Sequence, residues 1–188
     1  MTDESLRPAQ PRPPYELDVE LRTLLQGTSA ATVASVLFQR GLRNQYIQGV
    51  QRLSRAPLQL LGTAFTMRCI PAREDIDLPF SFRDPAHPQR LGIELIPAGS
   101  VLVMDCRGDR RSAAAGDILL MRLVVTVCAG VVTDGALRDC DTIADMSMPV
   151  FCGGRSALGS LTRHHVVECE VPIGCGDAPV YPGDVVLG

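Results

Sequence analysis

Two short runs of buried-strand character, each closed by an aspartate, constrain this chain most: Val101–Asp105 (VLVMD) and Val131–Asp134 (VVTD). Runs this short, with almost no polar alternation, suit strands covered on both faces, as in a parallel sheet. Between them lies Ile118–Ala129, apolar almost all round, which reads as a buried helix. Strand and helix alternate in the middle of the chain, while the last third is mostly strand and turn. The pattern predicts one layered α/β domain with a mixed sheet.

The flanking sequence fits this frame. Residues 1–14 hold four prolines and little to bury, so they read as a flexible tail ahead of a single domain over 15–188. Leu17, Leu21, Leu24 and Leu25 recur at helical spacing and predict a first short helix ending at Gly27. Thr28 or Ser29 caps a second helix over Ala30–Arg40, stopped by Gly41. Residues 42–57 read as a connection. Leu58–Ile70 reads as a strand with Gly62 a candidate bulge, Pro71–Pro88 as a long loop, and Gln89–Ile96 as a short helix. Thr142–Met146 allows one helical turn. Val150–Cys152, Val166–Val171 and Val185–Leu187 read as strands, the last entered by the Tyr181–Asp184 turn. The apolar strand pattern running to Gly188 reads as a domain truncated at its C-terminal end.

Composition removes several chemistries. The 18 cationic side chains are all arginine, so no Schiff-base lysine exists in this chain. A net charge of −3 argues against a nucleic-acid surface. No apolar run reaches the length of a membrane span, and the polar N-terminus is unlike a secretory signal. Seven cysteines, an odd number without a CxxC pair, read as free thiols in a cytoplasmic protein.

Candidate functional residues gather around Gly116–Asp139. Asp105 and Asp134 end their runs, where functional groups collect in parallel sheets, and either line one cleft or cap turns. Asp134-Gly135 is a turn signal. Arg138-Asp139 sets a planar fork donor beside a hard oxygen ligand, suited to a substrate carboxylate and to Mg²⁺ or Mn²⁺. The alternative is a surface ion pair. Gly116-Asp117-Ile118-Leu119 opens the helix-length segment, where backbone amides bind anions; the alternative is an ordinary helix entry. His164-His165 reads as one partly buried and one exposed structural histidine, because neighbours on a strand face opposite ways. Cys106 and Cys140 follow the Asp positions, but no histidine pairing marks either as a nucleophile.

The motifs Gly116-Asp117-Ile118-Leu119 and Gly130-Val131-Val132-Thr133-Asp134-Gly135-Ala136-Leu137-Arg138-Asp139 resemble the RraA-like family. This family includes regulators of ribonuclease activity A and 4-hydroxy-4-methyl-2-oxoglutarate aldolases. Gly62–Thr66, Pro97–Asp105, Pro149–Phe151 and Pro182–Asp184 match as well, so the resemblance covers residues 28–188. It implies an α/β/β sandwich similar to the swivelling domain of phosphohistidine enzymes, assembled as a trimer or a dimer of trimers with sites at subunit interfaces. It also implies a metal-dependent lyase that cleaves a 4-hydroxy-2-oxo acid to pyruvate and decarboxylates oxaloacetate as a side activity. By position, Asp139 would hold the Mg²⁺ or Mn²⁺, Arg138 would bind the pyruvate moiety, and the amides of Gly116, Asp117, Ile118 and Leu119 would take its carboxylate. Asp117 is the candidate general base by its place in the turn. Relatives that are aldolases carry an acidic residue three positions after the motif aspartate; here it is Thr142, with Asp141 one position early. The rival function is a non-catalytic regulator that binds ribonuclease E by surface contacts.

Overall fold

The computed structural model describes residues 15–78 and 80–188, so the expectation for residues 1–14 lies outside the described residues. Two helices come first, α1 (Val19–Leu25) and α2 (Ala30–Gln39). The Asp18 carboxylate accepts from the amides of Glu20 and Leu21, and the Ser29 hydroxyl accepts from Thr32, so both helices start at side-chain caps. There follow β1 (Gln51–Arg52), β2 (Leu61–Pro71), a 3₁₀ turn at Ser81–Arg83, α3 (Pro88–Leu95), β3 (Ser100–Asp105), β4 (Ala113–Ala115), α4 (Asp117–Val125) and β5 (Gly130–Leu137). The chain continues through α5 (Cys140–Ala144), β6 (Val150–Arg155), a second 3₁₀ turn at Ser160–Thr162, β7 (His164–Cys169), β8 (Ile173–Cys175), β9 (Ala178–Val180) and β10 (Val185–Leu187).

Among the described residues the main sheet has eight strands in the order β1-β6-β5-β3-β2-β10, with β4 added beside β5 and β7 beside β2. The central strands β2, β3, β5 and β6 are parallel, while β1, β7 and β10 join antiparallel. The expected mixed sheet is therefore present, with its parallel part in the middle.

Period-two alternation divides the core. Leu102 and Met104 of β3 join a cluster with Leu120 and Leu123 of α4, Ile93 of α3 and Ile143 of α5. Val101 and Val103, on the opposite face, join Val132, Val186 and the β8–β9 hairpin through Ile173 and Val180. Helices α3, α4 and α5 thus cover one face and the β8–β9 hairpin packs on the other, because successive side chains of a strand point opposite ways. This explains why β3 reads as apolar throughout.

Several expectations change in detail. The Ile118–Ala129 segment is not a buried helix. α4 lies on the sheet surface and fully buries only Leu120 and Leu123, while Ile118, Met121 and Val125 are exposed at 75%, 49% and 64%. These three sit on one helical stripe facing away from the sheet. β5 continues past Asp134 to Leu137, so Asp134-Gly135 is not a turn. The register between β5 and β6 shifts between Thr133 and Ala136, which marks a bulge. Gly135 fits there because a Cβ would stand 2.7 Å from Cys106 Cβ. The β2 irregularity lies at Arg68/Cys69 opposite β7, not at Gly62, whose missing side chain instead admits the Gly99 carbonyl. The helical turn predicted at Thr142–Met146 is α5, two residues earlier. The short strand β4 has no counterpart in the sequence reading, because Ala113-Ala114-Ala115 carries no β-branched or aromatic signal.

Candidate active site at the start of α4

Three segments meet at one exposed end of the parallel sheet. β4 runs into Gly116, the N-cap of α4; β5 delivers Arg138 and Asp139; β6 ends at Arg155. The Arg138 amide donates to the Ala115 carbonyl at 3.1 Å, which ties the end of β5 to the end of β4. Ser156 N donates to Leu137 O at 3.0 Å and ties in the end of β6.

Asp139 is the N-cap of α5, in the left-handed region at φ 53° and ψ 36°. Aspartate tolerates this conformation better than most residues. Its side chain does not cap its own helix. Instead Oδ2 reaches back toward α4, 3.4 Å from the Asp117 amide that donates to it, and 3.2 Å from Arg138 Nε. Gly116 is what allows this approach. A Cβ there would lie 2.7 Å from both Arg138 Nε and Asp139 Oδ2. The residues singled out in sequence, Gly116, Asp117, Ile118, Leu119, Arg138 and Asp139, are thus brought together.

Not every helix-start amide is open. The Ile118 amide donates to the Asp117 carboxylate at 2.7 Å, and the Asp117 amide faces Asp139. An incoming carboxylate would displace these side-chain oxygens, both of which belong to half-buried or exposed residues. Next to Arg138 and Asp139 is an open depression of about 380 Å³, completed by Cys140, Arg155, Ser156 and Ala157. Arg155 was not singled out in sequence; an isolated arginine after two glycines carries no motif. It brings a second guanidinium to the depression, and its Nη1 lies 3.5 Å from Asp141 Oδ1. Asp141 therefore turns toward Arg155, and Thr142 is exposed on α5.

Asp105 and Asp134 do not line this depression. Asp134 is buried and accepts from the amides of Cys106 at 2.7 Å, Gly108 at 2.8 Å and Gly176 at 3.4 Å. Burial pushes its pKa up against those bonds. Asp105 accepts from Arg107 at 2.8 Å and Gly174 at 3.3 Å. Both carboxylates organise loops. A larger groove of about 700 Å³ lies between the N-terminal helices and the sheet, lined by groups such as Leu25, Val33, Leu37 and Phe151. Its lining is mainly apolar, unlike a site for a small anion.

The RraA-like family pattern, Aldolase/RraA, matches residues 30–188. This chain belongs to the RraA-like family. A protein of Halalkalibacterium halodurans named "Putative 4-hydroxy-4-methyl-2-oxoglutarate aldolase" is 38% identical over 90 residues, 48% of this chain and 42% of that protein. Protein DlpA of Legionella pneumophila is 27% identical over 130 residues, 69% of this chain and 20% of that protein. The chain therefore spans less than half the length of these two relatives. Among solved structures, Streptomyces coelicolor RraAS2, described as an unusual member of the RNase ES inhibitor RraA family, superposes with a TM-score of 0.80 at 28% identity. That match covers 93% of this chain and 83% of the other. The RNA-processing inhibitor RraA from Thermus thermophilis shares the fold, with a TM-score of 0.60 at 22% identity over 82% of this chain and 86% of that one.

Proposed function

We propose that this RraA-like chain is a divalent-metal-dependent lyase of a small 2-oxo acid. The reaction is retro-aldol cleavage of a 4-hydroxy-4-methyl-2-oxoglutarate-type substrate to pyruvate, with oxaloacetate decarboxylation as a side activity. The observation that carries this reading is the meeting of Arg138, Asp139 and the N-terminus of α4 over the side-chain-free Gly116. The arrangement offers a fork donor, a hard oxygen ligand and helix-start amides within one small volume.

The donor set fits Mg²⁺ or Mn²⁺. Asp139 is an exposed carboxylate open to water, and such ions take one or two carboxylates and keep several waters. Asp139 would hold the ion, which when bound supplies Lewis-acid polarisation of the 2-oxo group. Arg138 grips the substrate carboxylate or the developing negative charge. The amides of Gly116–Leu119 take the carboxylate once Asp117 swings away from Ile118 N. Asp117, then free, accepts the C4 hydroxyl proton as the C3–C4 bond breaks and the electron pair moves toward the 2-oxo group, and it returns that proton to C3 to complete pyruvate. Arg155 supplies further positive charge at the rim. The absence of lysine supports the metal route over a Schiff base.

The exposed stripe of Ile118, Met121 and Val125 begins in the first turn of this site. It supports a homo-oligomer, a trimer or hexamer, with the site at the subunit boundary. The test is pyruvate release from 4-hydroxy-4-methyl-2-oxoglutarate and oxaloacetate, with Mg²⁺ or Mn²⁺ and with chelator. Metal-dependent release lost in Asp139→Ala supports the reading; no release from either substrate overturns it. The names of the RraA relatives support a second reading, a regulator that binds ribonuclease E. Capture of that enzyme unchanged by Asp139→Ala would favour it.

A further inference from the structure

On the helix-covered side of the sheet, β2 and β3 bring two thiols together. Arg68 pairs with Asp105 across these parallel strands, so the next residues, Cys69 and Cys106, fall side by side with Sγ atoms 3.7 Å apart. β7 runs antiparallel to β2 and returns His164 to the same place. One ligand atom from each of Cys69, Cys106 and His164 lies within 4.8 Å of the others, and the three residues are exposed at 1%, 0% and 0%. His164 Nδ1 stands 3.4 Å from Ser112 Oγ. Its Nε2 is buried with no hydrogen-bond partner among the described residues. A buried orphan nitrogen is costly and asks for a partner.

We infer that Cys69, Cys106 and His164 supply three of the four ligands of a buried tetrahedral site for a thiophilic cation of the Zn²⁺ class, with a water in the fourth position. Three observations agree with it. At a Zn–S bond of about 2.3 Å, the edge between two sulfurs of a tetrahedral site is about 3.75 Å, which matches the 3.7 Å separation here. With Nδ1–H donating to Ser112, the Nε2 lone pair is left for the metal, the usual way a second partner fixes a ligating imidazole. Two thiolates and a neutral imidazole around a doubly charged cation sum to zero charge, which suits a dry interior. Loading releases two thiol protons to solvent and changes no oxidation state.

The surroundings favour a cation as well. Thr133 Oγ1, 3.6 Å from Cys106 Sγ and itself accepting from Gly135 N at 3.1 Å, is placed to donate to the thiolate. Sulfur and imidazole donors select Zn²⁺ over Mg²⁺, whereas Asp139 has the reverse preference.

The test is metal content and spectroscopy on the full chain, refolded with Zn²⁺ or Co²⁺ and dialysed, since a site this buried loads with folding. One ion per chain is expected, with thiolate-to-cobalt charge transfer and tetrahedral ligand-field bands in the Co²⁺ form. Cys69→Ser and Cys106→Ser bring the content from one to none, while Cys140→Ser and Asp139→Ala keep it. The Asp139→Ala arm separates this site from the proposed catalytic ion. If the serine variants do not fold, the wild-type Co²⁺ spectrum decides: no thiolate band overturns the inference. Loss of two free thiols as a disulfide with peroxide, in protein that takes up no metal after refolding, also overturns it.

Discussion

Gly116→Ala isolates the close approach at the proposed catalytic end of α4. The new methyl would meet Arg138 Nε and Asp139 Oδ2 at 2.7 Å, and Arg138 Cγ at 3.1 Å. Non-bonded heavy atoms settle at about 3.5 Å or more, so both functional side chains must retreat by about 0.8 Å. A displacement near 1 Å is enough to lower a positioned reaction by roughly 10²-fold. The backbone itself tolerates alanine, since Gly116 is extended at φ −126° and ψ −177°. Losing glycine as N-cap costs about 1 kcal/mol, or about 2–4 °C in Tm for a chain of this size. The expected outcome is metal-dependent pyruvate release down about a hundredfold in a protein that unfolds only a few degrees early. The assay couples pyruvate to NADH oxidation beside a thermal melt. Activity above half of wild type would refute the reasoning, because the atoms in the methyl's path would then not be the ones that matter.

Leu120→Ala, at a fully buried position of α4, should cost about 2–5 kcal/mol in denaturant unfolding. Met121→Arg, one residue later and half exposed, should leave the fold intact but move sedimentation toward the monomer. Asp117→Ala frees the Ile118 amide; pyruvate should then inhibit at several-fold lower concentration while turnover falls, and unchanged inhibition would count against anion binding at these amides. Asp109 has its pKa held well below the usual carboxylate range, first by the Arg111 side chain and then by the Arg111 amide. A depressed folded pKa gives stability that is full above the unfolded value of about 3.9 and is lost as pH falls toward the folded one. Asp109→Asn should therefore be less stable than wild type at neutral pH, with the two unfolding curves converging in strong acid.

The parallel centre of the sheet was readable because β3 and the start of β5 are short and continuously apolar. The positions of Gly116, Arg138 and Asp139 were readable as motifs, although their meeting depends on β4, which three alanines do not announce. Arg155 was not readable, since its role comes only from β6 running parallel to β5. Apolar character also misled. Ile118–Ala129 looks buried all round, yet composition cannot distinguish the stripe packed on a sheet from one available to a partner. Asp134 looked like the end of a strand because Asp-Gly usually turns, and a bulge absorbs the pair instead. The Cys69, Cys106 and His164 cluster has ligand spacings of 37 and 58 residues read from their numbers, far from any short metal motif. Only strand register brings it together.

Strand β2 sets the order in which the molecule can be completed. One of its edges pairs with β3, but the other is shared by β10 over Val185–Leu187 and by β7 over His164–Cys169. During synthesis the chain therefore exposes one long edge of an 11-residue, mostly buried strand until about a hundred further residues have followed. Pairing between distant segments generally slows folding, and an unpaired strand edge is a template for aggregation while it waits. Arg68 and the closing Pro71, at the far end of β2, are the residues along that edge that resist unwanted strand addition while it waits.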